Sequence, residues 1–274
     1  MKPRHPSPKN LNVEILAEEI AGLNSIGIKE GSAITHALAG SIIINALGGN
    51  FWAKECTTFG EKQEFFRIKS DVKVVHLAHM LWLLKDIYGF EAFLEKNQLN
   101  EFESTYYECT AASWFVRSSA HVELVIPRQK RGSDFDVLVS EFNGTQKLNV
   151  EVKARRRHFD SAKQLKNFLN RHRSQLPPNE NGAFFCKLAI THESIPQDEL
   201  TSTTQKFLAS TNRVGFVIYC WDCSPRENEI AHKYVAINEC GDMGPIFEQN
   251  RAPTVPAYLE DVKDYMAKQD HQPN

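Results

Sequence analysis

The stretch Arg131–Lys153, RGSDFDVLVSEFNGTQKLNVEVK, reads as two apolar strands that carry ionisable residues where a buried strand should carry none. In the first strand Asp134 and Asp136 alternate with Phe135 and Val137; in the second, Glu151 and Lys153 alternate with Val150 and Val152. Side chains two apart on a strand share a face. Asn143-Gly144 in the connection favours a tight hairpin, which sets the two acidic faces side by side. The expected result is two or three carboxylates and one ammonium at a single point.

Such a cluster is costly, because like charges repel at close range and each buried ion loses its hydration. A hard divalent cation removes that cost. Carboxylate oxygens suit Mg²⁺ or Mn²⁺, and an adjacent lysine can hold an attacking water or stabilise charge that builds up on a phosphate. These are the requirements of metal-dependent phosphodiester cleavage.

An Asp, a hairpin and then Glu-x-Lys resembles the signature of the PD-(D/E)xK nuclease superfamily, which includes restriction endonucleases and Holliday-junction resolvases. The match is Asp136 or Asp134 followed by Glu151-Val152-Lys153, and Ser133 rather than proline precedes Asp134. It spans about Glu101 to Ala236. The resemblance implies a restriction-endonuclease-like α/β fold, with a central mixed sheet flanked by helices. It also implies a Mg²⁺-dependent endonuclease in which Mn²⁺ substitutes and DNA is favoured over RNA. Asp136 and Glu151 would hold the metal with a backbone carbonyl near Val152, and Asp134 would be a further ligand. Lys153 would orient the water. Relatives present a glutamate from the helix before the first core strand, a role assigned to Glu108, with Glu101 and Glu103 as alternatives. The rival reading is a module of the same fold that binds nucleic acid or protein without catalysis. Whether two copies pair as a homodimer is left open.

Charge is distributed unevenly. The formal net charge is −2, yet His121 to Arg173 holds twelve Lys and Arg against six Asp and Glu. The positive charge thus surrounds the carboxylate hairpin, where a phosphate backbone would be drawn. Arg155, Arg156 and Arg157 follow the second strand at once, and Lys163, Lys166, Arg171 and Arg173 continue the run along a helix from about residue 161 to 174. With Arg131, the arginine triplet and Lys163 are the expected nucleic-acid contacts; in some members of the family that the chain resembles, a polar residue at the place of Gln164 faces the site.

Around this core the chain is expected to be helical over residues 1–95, with a nuclease-like domain over 96–274. Apolar spacing predicts helices over 11–24, 30–47 and 71–88, then one over 99–116 with the stripe Leu99, Phe102, Tyr106, Cys109 and Val116. Strands are predicted over 121–127, 134–140, 147–153, 183–190 and 214–220, with 234–237 as a last edge strand and helices over 197–211 and 257–268. The 42% hydrophobic, 24% charged composition is that of a globular chain. Residues 1–10 do not read as a secretory signal and the longest apolar run is too short for a bilayer, so a cytoplasmic protein without membrane contact is expected. The six cysteines then read as free thiols, Cys220-x-x-Cys223 included, and His76 and His79 as packed core histidines.

Overall fold

In the computed structural model the hairpin is present: β2 (Val137–Phe142) pairs antiparallel with β3 (Thr145–Ala154), Val137 lying opposite Val150. The structure describes residues 11–28, 31–56, 70–118, 120–126, 132–142, 145–155, 159–188, 195–223, 231–242, 250–251 and 255–270. β2 begins three residues later than the alternation predicts, so Asp134 and Asp136 lie ahead of the strand. The reason lies in the hydrogen bonding. The Asp136 N–H donates to the Val150 carbonyl (3.0 Å), but the Val152 N–H is taken by the Asp136 side chain at Oδ2 (2.8 Å). A carboxylate here does the work of a ladder carbonyl, as buried backbone donors require.

β1 (His121–Leu124) flanks β2 antiparallel, and β4 (Gly182–Lys187) and β5 (Phe216–Cys223) extend the sheet from β3 in parallel. β6 (Ala231–Asn238) closes it antiparallel to β5, and the two-residue strands β7 (Gly241–Asp242) and β8 (Asn250–Arg251) both pair with β6. The sheet is therefore mixed, in the order β1-β2-β3-β4-β5-β6. β6 is longer than the short edge strand expected over 234–237, because the polar pair His232-Lys233 hides its start from an apolar pattern.

Both sheet faces are covered, which explains why β4 is buried along its whole length. On one face Phe184, Cys186, Val217 and Tyr219 pack with Leu165 and Leu169 of α7 (Ala162–His172) and with Leu200 and Phe207 of α8 (Gln197–Leu208). On the other face Val150, Val152, Phe185, Ile218 and Ala236 meet a helical layer. That layer comprises α1 (Val13–Ser25), α2 (Ser32–Leu47), α4 (Ser70–Leu84), α5 (Phe90–Asn97), α6 (Phe102–Arg117) and α9 (Ala257–Asp270). α2 runs into α3 (Gly49–Phe51) and a π-helical turn over Trp52–Cys56. One apolar cluster runs from Leu11 to Val262, so the helices before residue 95 pack on the same core as the sheet after it. Among the described residues no helix is long and apolar enough to cross a membrane.

α6 departs from the single-stripe expectation: every residue from Phe102 to Phe115 but Ser104 is buried, since the helix lies between the sheet and α4. Leu99 precedes the helix and is 90% exposed. α5 has no counterpart in the predicted elements. It starts at Gly89, whose φ of 86° is open to glycine, and where a Cβ would lie 1.9 Å from the Leu124 carbonyl oxygen.

Charges also tie the helical layer to the sheet. Lys73 Nζ of α4 lies 2.8 Å from Glu103 of α6 and 2.6 Å from Asp222 of β5, and Lys187 of β4 lies 3.0 Å and 3.8 Å from the same two carboxylates. Tyr107 hydrogen-bonds Asp222, and His232 of β6 lies 3.2 Å from it. His76 packs beside this group, bonded to the Tyr106 hydroxyl at 2.7 Å and stacked near His79. Cys56, Cys109, Cys186, Cys220 and Cys240 are free thiols.

Candidate functional site

The hairpin mouth gathers Asp136, Glu151 and Lys153, and α6 adds Glu108 from the side of the helical layer. Asp136 is fixed at Oδ2 by the Val152 N–H, and at Oδ1 it accepts from Lys96 Nζ at 2.7 Å. The same ammonium donates to Glu108 Oε2 at 2.9 Å, and Asn97 Nδ2 reaches that oxygen at 3.3 Å. Glu151 is wholly buried. Lys153 Nζ lies against its Oε1 as an ion pair, but within the described residues neither carboxylate oxygen accepts a well-formed hydrogen bond.

These surroundings separate the three acids. Burial would raise Asp136, but the charges of Lys96 and Lys153, with the hydrogen bonds from Lys96 and the Val152 N–H, outweigh it and hold the group below the ordinary aspartate value. Burial and then the Asp136 charge push Glu108 up to about 7 despite Lys96. The same two causes push Glu151 well up, and Lys153 only partly offsets them. Burial alone would lower both lysines, yet the carboxylates beside them raise Lys96 and Lys153 above the ordinary lysine value. The site thus holds two firm cations and one firm anion, and two acids that retain protons more readily than usual.

Of the residues singled out in the sequence, Asp136, Glu151, Lys153 and Glu108 come together. Asp134 stands half-buried at the approach to β2, and the charges acting most strongly on Asp136 and Glu151 do not include it. Glu103 points instead into the Lys73 and Lys187 pairs, and Glu101 is an exposed residue at the start of α6. Arg131, Arg156 and Arg157 lie outside the described residues. Arg155 is half-buried, its guanidinium 4.1 Å from the centre of the Phe159 ring. Lys163, Lys166 and Arg171 are exposed along α7. Gln164 is exposed and closes the start of α7 by exchanging hydrogen bonds with Asp160 (2.8 and 3.2 Å).

Two neighbours escaped the sequence reading. Lys96 did so because α5 did, although Phe90, Phe93, Leu94 and Asn97 have helical spacing after Gly89. His172 ends α7 with its ring 4.8 Å from Phe168 and Nδ1 3.2 Å from Gln175; burial and then the charge of Lys153 lower its proton affinity. No local pattern marks a histidine for such a place. Among the described residues no group of three or more His, Cys, Asp or Glu is arranged to hold a metal ion, and ammonium groups stand among the carboxylates instead. Comparison with protein-family models, curated proteins and solved structures found no match for the chain.

Proposed function

We propose that this chain is a divalent-metal-dependent nuclease of the PD-(D/E)xK type, with a restriction-endonuclease-like core formed by α6, β1 to β4 and α7, and that it hydrolyses phosphodiester bonds in DNA. One observation carries the reading: Asp136, Glu151 and Lys153 converge at a hairpin mouth, and among the described residues the Oε2 of the buried Glu151 meets no hydrogen-bond donor, its Oε1 having only the ammonium of Lys153. Burying a carboxylate in that condition is unfavourable unless the pocket serves something beyond the metal-free fold. The donors are all hard oxygens, which fits Mg²⁺ or Mn²⁺. Asp136 and Glu151 would hold the ion, with Glu108 beside them. When bound, such an ion polarises a phosphoryl oxygen and makes water more acidic.

The chain's own residues supply the remainder. The Val152 N–H keeps Asp136 in one orientation, as a ligand or a water-positioning group must be kept. Lys153, partly exposed at the hairpin mouth, places a positive charge where an attacking water and a phosphate oxygen would meet. Exposed Lys163, Lys166 and Arg171 give the backbone of a nucleic acid a place to rest along α7.

The second reading, a catalytically inactive binding module, is favoured by the ammonium of Lys96, which already bridges Asp136 and Glu108. One assay separates the two. Purified protein should nick or linearise plasmid DNA with Mg²⁺, stop with EDTA, and lose cleavage in Glu151→Ala and Lys153→Ala. Retained DNA binding with no metal-dependent cleavage by the unaltered chain would establish the inactive module.

A further inference from the structure

We propose that Lys96 is the resident counter-ion of the carboxylate pocket, that a divalent cation binds by displacing its ammonium, and that Lys96 therefore sets the metal affinity of the site. The inference rests on the metal-dependent reading above and adds a residue that the Asp, Glu and Lys pattern does not contain.

Lys96 Nζ is bonded to Asp136 Oδ1 at 2.7 Å and to Glu108 Oε2 at 2.9 Å, so one ammonium bridges carboxylates from two separate elements. A hard cation coordinated by Asp136 Oδ1 would sit about 2.0–2.6 Å from that oxygen. Two positive centres on one nearly buried carboxylate oxygen repel strongly. The bound states are therefore mutually exclusive at Oδ1: ammonium or metal.

The structure shows why the lysine is the partner that yields. The side chains of Asp136 and Glu108 are 7% and 9% exposed, whereas that of Lys96 is 28% exposed, so its head group has a route to water along a flexible stem. The backbone beneath it is held. Asn97, fully buried, donates to the Phe93 carbonyl (3.0 Å) and to Glu108, and it accepts from Thr105 of α6 (2.9 Å). At its other end α5 is seated by Gly89 and by the hydrogen bond from the Leu124 N–H to the Tyr88 carbonyl (2.9 Å). Release of the site thus needs a side-chain swing and no movement of α5. Without metal, the same contact spares Asp136 and Glu108 an uncompensated burial.

The test is calorimetric titration of Mn²⁺ into the full chain, without nucleic acid, for the unaltered protein and Lys96→Met. With the competing ammonium gone, Mn²⁺ should bind on the order of tenfold tighter, and Mn²⁺ should raise the unfolding temperature more in the variant than in the unaltered chain. Lys96→Gln, which keeps a hydrogen-bond donor without the charge, carries the same expectation should the methionine variant not fold. Binding by the unaltered chain that neither variant strengthens overturns the role of Lys96 and leaves the nuclease reading intact. Absence of Mn²⁺ binding in all three proteins overturns both.

Discussion

Asp136 and Glu151 stand at one hairpin mouth, yet their surroundings drive them apart. Asp136 receives two ammonium charges and a backbone N–H that together outweigh its burial, whereas at Glu151 burial and the repulsion of Asp136 outweigh the charges of Lys153 and Lys96. A carboxyl whose folded value is raised contributes stability that is present below its ordinary value of 4.5 and is lost as the pH rises through the folded value. In the metal-free protein the contribution of Glu151 should therefore fall from pH 4.5 upward, and that of Glu108 should fall likewise up to about pH 7. Glu151→Gln should flatten that fall, and at neutral pH be no less stable in EDTA, while binding no metal. Urea unfolding at several pH values checks this, and an unchanged slope would contradict it. Asp136→Asn should remove both Mn²⁺ binding and cleavage, because the group is clamped by the Val152 N–H, while Asp134→Asn should keep at least part of each. Loss confined to Asp134→Asn, read by titration, would reverse the assignment of the two aspartates.

Between elements, the shared pair of carboxylates under the helical layer makes a further contrast. Lys73 lies within 2.8 Å of both Glu103 and Asp222, and these charges raise it despite burial. Lys187 is farther from Asp222, and burial pulls it down to about 8. Lys73→Met should cost about 3–5 kcal/mol, the scale for stripping a buried pair of one partner, and Lys187→Met should cost less. Because the unfolded chain binds more protons than the folded one between pH 8 and 10.5, Lys187 makes stability rise with pH across that window. The variant should lack this rise, as denaturant titrations at pH 7.5 and 10 would show. This network was hidden from the sequence, since Lys73, Glu103, Lys187 and Asp222 are scattered along the chain and no spacing links them. The hairpin, by contrast, was legible: its ions interrupt an apolar alternation within 23 residues. What alternation did not reveal is that Asp136 replaces a carbonyl and so delays β2, or that an eight-residue helix brings a lysine to the same oxygens.

At the scale of the molecule, the unequal charge of the sequence becomes an exposed row. Lys163, Lys166 and Arg171 line the outside of α7, whose final residue, His172, stands close enough to Lys153 to feel its charge. Arg155 is a poorer probe of nucleic-acid contact than the sequence suggested, because its stacking on Phe159 also supports the fold. Replacing Lys163, Lys166 and Arg171 together by glutamate should weaken DNA binding whatever the sequence. It should also reduce the slope of log affinity against log salt by about 2–3, at about 0.9 per phosphate contact. Filter-binding titrations between low and moderate salt check both, and an unaltered slope would make the row a merely solvated face. The helical layer carries a different consequence. α9 is seated by the Ala257 N–H on His79, the Tyr258 hydroxyl on the Thr35 carbonyl, and Asp261 on the Trp82 indole N–H. Helices made early in translation thus wait for one made 178 to 223 residues later, and α6, which carries Glu108, packs against one of them. A ribosome-bound chain that has already exposed every acid of the pocket still lacks the helix to which α4 is bonded through His79 and Trp82, so the nascent protein should acquire its finished pocket only after residue 257 and those beyond it have emerged.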